Sequence, residues 1–107
     1  MRAIIIYDLP MISDEDRKTY TIFRKRIIKL GFYMIQYSAY TKVLQNENSY
    51  KQLCSKVDSI VPDKGHIIMF KITEKQFSDM IYLTGIKNKY ESIVGGNELV
   101  VFGGDEL

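Results

Sequence analysis

A single cysteine, Cys54, is present in this 107-residue chain, so neither an intrachain disulfide nor a cysteine-based zinc site can form. Histidine is equally scarce. His66 has no second histidine and no cysteine beside it in the sequence, which argues against a metal role. No stretch reaches the roughly 18 consecutive apolar residues of a membrane-spanning helix. Met1 leads directly into a strand-like segment, with no basic stretch ahead of a long apolar run. We therefore expect a cytoplasmic protein with no membrane partner. Gly95-Gly96 and Gly103-Gly104 lack a phosphate-loop pattern around them and read as turns. Repeats, low-complexity tracts and linkers are also missing. With too few residues for two ordinary cores, 1–107 is expected to form one domain.

Hydrophobic residues make up 46% of the chain and charged residues 26%, which are globular values. A domain this small has much surface for its volume, so burying a face in an oligomer would help stabilise it. The net charge of +2 is a weak argument for a polyanionic partner, but its distribution is uneven. Residues 1–45 carry eight Lys/Arg against four Asp/Glu, and residues 46–107 carry seven against nine. Six cations fall between Arg17 and Lys29 with no acid among them. Such a band suits a polyanion, and the plain alternative is the solvated face of a helix.

Arg2-Ala3-Ile4-Ile5-Ile6-Tyr7-Asp8 is apolar and β-branched, and predicts a central strand buried on both faces. Pro10 stops it, because proline has no N–H to give to a ladder. Ser13 followed by Asp14, Glu15 and Asp16 predicts a helix start, with the acids favoured by the helix dipole. That helix runs to Gly31, a natural stop. Tyr20, Phe23, Ile27 and Leu30 form its core stripe; Lys18, Lys25 and Lys29 lie opposite, with Arg17 and Arg24 together on one flank.

Phe32 to Val43 has high strand propensity but is too long for one strand, which predicts a break near Gln36 to Ser38. Asn46 or Asn48 caps a second helix with the stripe Tyr50, Leu53, Val57 and Ile60 or Val61. After the turn Pro62-Asp63-Lys64-Gly65, His66 to Ile72 is another strand. Thr73-Glu74-Lys75-Gln76 fits a capping box opening a helical turn. Met80-Ile81-Tyr82-Leu83 and Glu98-Leu99-Val100-Val101-Phe102 read as late strands. The fold class is therefore α+β, a ferredoxin-like βαββαβ sandwich with an extra C-terminal strand. That last strand has no seat in a four-stranded sheet, which hints at pairing with a second chain in a homodimer.

The apolar first strand ending in Tyr7-Asp8 resembles the signature of the small CRISPR-associated adaptation proteins, the partners of the CRISPR integrase. So do the basic helix from Phe23-Arg24-Lys25 to Gly31-Phe32, the following Gln36-Tyr37-Ser38-Ala39-Tyr40, and Gly65 to Ile72 with Gln76. The Leu9-Pro10 loop and the length are similar to the version in type II systems. The resemblance implies a homodimer whose C-terminal strand, about residues 98–103, completes the partner's sheet. It also implies that integrase dimers flank this dimer while it holds double-stranded DNA destined to become a spacer. A metal-dependent endonuclease activity on RNA or DNA, dispensable for spacer acquisition, comes with the same resemblance. In that activity the counterpart of Asp8 binds Mg²⁺.

Asp8 is the candidate catalytic and metal-binding residue. One carboxylate is a poor cage for Mg²⁺, or for Mn²⁺ in its place, whereas two copies across a twofold axis supply two. Without metal, two such carboxylates would share a proton. The plain alternative is that Asp8 caps the loop from Leu9 to Ile12, while Asp14, Glu15 and Asp16 are better explained by helix capping. Arg17, Lys18, Arg24, Lys25 and Lys29 are the candidate nucleic-acid contacts. The arginine fork of Arg24, which also carries over from the family's basic helix, suits phosphate. No base-reading element is visible, so sequence-independent binding is expected.

Tyr7 and Ser38 stand beside the site; Ser38 matches a family position near the metal, or else satisfies the strand break. Tyr7, Tyr33, Tyr37 and Tyr40 read as core or dimer contacts, with base stacking as the alternative. Cys54 reads as a small buried hydrophobe, with no base to activate it. Three functions follow: a DNA-holding scaffold, a metal-dependent endonuclease also acting on single-stranded RNA, and, outside CRISPR, a toxin-like RNA-cleaving or RNA-binding protein of the same fold.

Overall fold

Strand β1 (Arg2–Asp8) stops ahead of Pro10, and the loop after it leads into α1 (Asp14–Lys29). The Ser13 hydroxyl accepts from the Asp16 N–H (3.0 Å), and the Asp16 carboxylate accepts from the Ser13 N–H (3.2 Å). This reciprocal pair satisfies two donors that the helix start would leave open. At the other end Gly31 adopts φ +106°, and the N–H groups of Gly31 and Phe32 bond back to the carbonyls of Ile28 and Ile27. A left-handed glycine with those two bonds closes the helix and turns Phe32 into the core.

The long aromatic segment splits where expected, into β2 (Tyr33–Gln36) and β3 (Ala39–Val43). Ser38 sits in the break with φ +63°, a left-handed conformation that costs a non-glycine residue about 1–2 kcal/mol. Asn46 caps α2 (Glu47–Asp58) by accepting from the Ser49 N–H (2.8 Å), and β4 (His66–Ile72) follows. The structure, a computed structural model, describes residues 1–85. The chain divides after Ile72 into two compact units. In the second, Thr73 and Gln76 form the expected capping box on the short α3 (Glu74–Ser78).

The sheet order is β2-β3-β1-β4, antiparallel throughout. Ala3, Ile5 and Tyr7 of β1, with Tyr40 of β3, pack against Tyr20, Phe23 and Ile27 of α1 and Leu53 and Val57 of α2. Both helices therefore lie on one face of the sheet, which is the ferredoxin-like α+β arrangement.

Two expectations need correction. β1 is central, but it is not buried along both faces. Ile4 is covered, whereas Ile6 and Asp8 on the side away from the helices are exposed, because α1 and α2 cover only the other side. Met80 to Leu83 is not a strand. Its propensity finds no ladder partner among the described residues, and the Met80 N–H instead closes the end of α3 on the Phe77 carbonyl (3.2 Å). The expected strand at Glu98–Phe102 lies outside the described residues.

Candidate metal centre and nucleic-acid interface

Asp8 is the last residue of β1, and the alternation along the strand puts its side chain on the helix-free face with Ile4 and Ile6. Its carboxylate is exposed and forms no ion pair among the described residues. The loop after it is held by another residue. One Arg17 guanidinium nitrogen donates to the carbonyls of Met11 (3.1 Å) and Ile12 (3.0 Å), and the other pairs with Asp14. Asp8 is thus not spent on closing the loop.

Gly65 fixes the backbone behind Asp8. It has φ +90°, and a Cβ there would lie 2.7 Å from the Asp8 carbonyl oxygen and 3.1 Å from the Leu9 Cα. Only glycine allows the turn before β4 to come so close. Directly across the antiparallel β1–β4 ladder from Asp8 is His66. Both side chains stand on the helix-free face, at the separation of about 5 Å typical of cross-strand neighbours. His66 has no histidine or cysteine partner in the sequence, and its cross-strand neighbour is instead this carboxylate. The expected topology already carried the signal, because the end of β1 must oppose the start of β4.

Among the described residues no group of three or more His, Cys, Asp or Glu side chains could hold a metal ion. At the end of β1 the described residues supply one carboxylate with a neighbouring imidazole, which does not fit the oxygen cage of a hard divalent cation.

Tyr7 points the other way, into the core. Its ring meets Phe23 edge-on at 5.0 Å and Tyr20 at 5.7 Å, and lies nearly parallel to Tyr40 at 6.0 Å. The Tyr7 hydroxyl is buried beside the Tyr40 and Tyr20 phenols without a well-formed hydrogen bond to either. Burial first, then the Tyr40 and Tyr20 phenols, drives its ionisation far above the ordinary tyrosine range. Ser38 is joined to this cluster from two sides. Its carbonyl accepts from the Tyr7 N–H (3.0 Å), and its hydroxyl lies 3.2 Å from the Tyr20 hydroxyl. The strained turn is therefore tied to the strand end that carries Asp8, with the Ser38 carbonyl and hydroxyl both engaged across the strand break.

The basic residues form a second group on α1. Lys18, Arg24, Lys25 and Lys29 are exposed, and no ion pair among the described residues engages them. Arg17 is exposed but committed to the loop and to Asp14. Tyr40 is buried, and Tyr33 is half-buried with its hydroxyl accepting from Arg2 Nη1. Tyr37 is different: 69% of its surface is exposed. The site thus has an acid on the open face of the sheet and cations on the outer side of the helix layer, with the Ser38 turn tied to both β1 and α1. Cys54 is half-buried on α2. No helix among the described residues is long and apolar enough to cross a membrane.

Comparison with known proteins agrees with this layout. The family profile of CRISPR associated protein Cas2 matches residues 1–80. The CRISPR-associated endoribonuclease Cas2 of Ligilactobacillus salivarius is 45% identical over 89 residues, covering 83% of this chain and 88% of the relative. The protein of the same description from Streptococcus mutans serotype c is 38% identical over 105 residues, covering 98% of this chain and 94% of the relative. The crystal structure of Streptococcus pyogenes Cas2 at pH 6.5 superimposes with a TM-score of 0.60 at 13% identity, covering 78% of this chain and 99% of that one. That likeness supports the fold. By sequence across most of its length, this chain belongs to the CRISPR-associated Cas2 family.

Proposed function

We propose that the chain works as a homodimer that holds double-stranded DNA for the CRISPR integrase during spacer acquisition. Metal-dependent phosphodiester cleavage at paired Asp8 residues is its second, separable activity. The carrying observation is the helix-free face of the sheet. Ile6, Val43, Ile68 and Phe70 are 41%, 52%, 58% and 39% exposed on it, and Asp8 lies at its edge. Part of that face is covered, at Ile4, Ala39 and Thr41, but the apolar residues around them stay open, and a domain seldom leaves such a group exposed unless a partner covers it. A second copy is the simplest cover, since a twofold places like against like and brings Asp8 toward its twin. Among the described residues β4 is a sheet edge seven residues long, where the partner's C-terminal strand would pair in the way the family resemblance implies.

In such a dimer the two Asp8 carboxylates would hold one Mg²⁺, or Mn²⁺, which would supply Lewis-acid polarisation of the phosphodiester for hydrolysis by water. Gly65 holds the backbone that aims Asp8, and the Tyr7–Ser38 bond ties the neighbouring turn to the same strand end. Lys18, Arg24, Lys25 and Lys29 meet phosphates without reading sequence, and Arg17 adds charge from its place at the loop. Single-stranded RNA is the second substrate in this reading. Membership in the Cas2 family favours a role in CRISPR over a free-standing RNA-cleaving toxin.

The test is Asp8→Ala, assayed for cleavage of RNA and DNA with Mg²⁺ and for spacer acquisition in cells carrying the integrase. We expect cleavage to vanish and acquisition to persist. Loss of both makes the chemistry essential and overturns the scaffold reading, and retained cleavage removes Asp8 from the site.

A further inference from the structure

The turn between β2 and β3 is built in a way the cleavage site does not require. Tyr37 stacks on Tyr20 with ring centroids 5.8 Å apart and planes 23° from parallel, yet remains mostly exposed. Beneath it, Tyr20 is buried, packs edge-on against Tyr7, and shares a hydrogen bond with Ser38, the residue after Tyr37. The backbone at Ser38 is held in its left-handed conformation by that contact and by the Tyr7 N–H. The ring of Tyr37 is thus fixed from below and open above. Arg24 lies one helical turn beyond Tyr20 on α1 and is exposed.

An aromatic ring immobilised on one face and wet on the other, packed on the helix that carries the exposed Arg24 one turn further on, fits one ligand chemistry well. We propose that Tyr37 is a stacking platform for one unpaired base, with Arg24 contacting a phosphate of the same strand. This rests on the nucleic-acid-binding reading and deepens it by assigning the residue that holds an unpaired nucleotide, in a free single strand or at the frayed end of a duplex. Bases within a duplex already stack on one another and do not offer a face, whereas an exposed base has a π-face whatever its identity. The supporting stack lowers the ordering cost of binding, because the ring is already in place. The tie from Ser38 to Tyr7 connects this platform to the strand end bearing Asp8, with the stacked ring on the helix side of the sheet and the Asp8 side chain on the other face.

The experiment uses the full chain and three fluorescent probes of equal length: oligo-dT, oligo-U and a blunt DNA duplex. Affinities are read by anisotropy at one low salt concentration for the wild type, Tyr37→Phe and Tyr37→Ala. We expect Tyr37→Ala to lose about 5- to 100-fold in affinity for a single strand, as one stacked base is worth, while Tyr37→Phe and duplex binding stay near wild type. A loss confined to oligo-U or oligo-dT identifies the sugar the site prefers. The chain has no tryptophan, so Tyr37→Trp installs a unique indole whose emission should be quenched by single strands and not by the duplex.

Equal single-strand affinities for wild type and Tyr37→Ala, or unquenched indole at saturation, overturn the platform while leaving duplex binding and the scaffold reading intact. A parallel loss for all three probes, with a changed sedimentation coefficient, makes Tyr37 a contact between protomers and overturns it as well. Wild-type protein that binds none of the probes removes the underlying function too.

Discussion

Replacing Tyr7 by phenylalanine should stabilise the protein, although Tyr7 lies next to the candidate catalytic acid. Its ring is almost fully buried among Tyr20, Phe23 and Tyr40, and that packing survives the change. What disappears is a hydroxyl buried without a well-formed hydrogen bond. Leaving such a group unsatisfied costs about 1–3 kcal/mol, and removing one oxygen from a packed core returns part of that as a small void, so a net gain of about 1 kcal/mol is expected. The pH dependence gives a second, independent signature. Burial raises the Tyr7 ionisation in the folded protein far above that of the unfolded chain. Below the unfolded value of about 10 both states keep the proton and the group contributes no slope. Above it the unfolded chain releases a proton that the folded protein retains, so wild-type stability falls with rising pH by about 1.4 kcal/mol per unit per Tyr7. Tyr7→Phe lacks this loss, so its advantage widens above about pH 10. Urea unfolding followed by far-ultraviolet circular dichroism, at one protein concentration and a series of pH values, reads both effects. Destabilisation of more than about 1 kcal/mol at neutral pH, or a gap that does not grow in alkali, would refute the reasoning by showing a satisfied hydroxyl.

Gly65→Ala should destabilise by about 1–3 kcal/mol in the same unfolding assay, because the new methyl meets the Asp8 and Leu9 backbone and the residue has positive φ. Arg24→Glu with Lys25→Glu should weaken duplex binding and flatten its salt dependence. The slope of log affinity against log salt falls in magnitude by roughly 0.9 for each phosphate that the variant no longer neutralises; an unchanged slope removes α1 from the DNA-binding surface.

Most of the scaffold was legible because local chemistry and tertiary packing agree. Pro10, Ser13, Gly31 and Asn46 bound their elements where propensity places them. The break at Ser38 follows from length alone: twelve strand-forming residues exceed what one strand of this sheet can pair. The failures share a cause, which is that they concern partners rather than propensities. Ile6 reads as buried because it is isoleucine in an apolar run, but its exposure is set by where the helices lie. Met80 to Leu83 has the composition of a strand without a ladder to join. At the site, Asp8 and the free cations were visible from residue type and order. The role of Arg17 as the brace of the loop, the His66 opposite Asp8 and the Tyr20–Tyr37 stack all depend on how distant segments meet across the fold.

Everything proposed for Asp8 depends on how two copies meet, and a spin label can read that directly. Asp8→Cys in a Cys54→Ser background carries one nitroxide per chain at the end of β1. If the bare sheet faces pair about a twofold, frozen-solution spectra will show strong dipolar broadening that vanishes when labelled protein is diluted with unlabelled protein. A monomer, or a dimer whose spectrum is as sharp as the diluted sample, would contradict the pairing and with it the metal site.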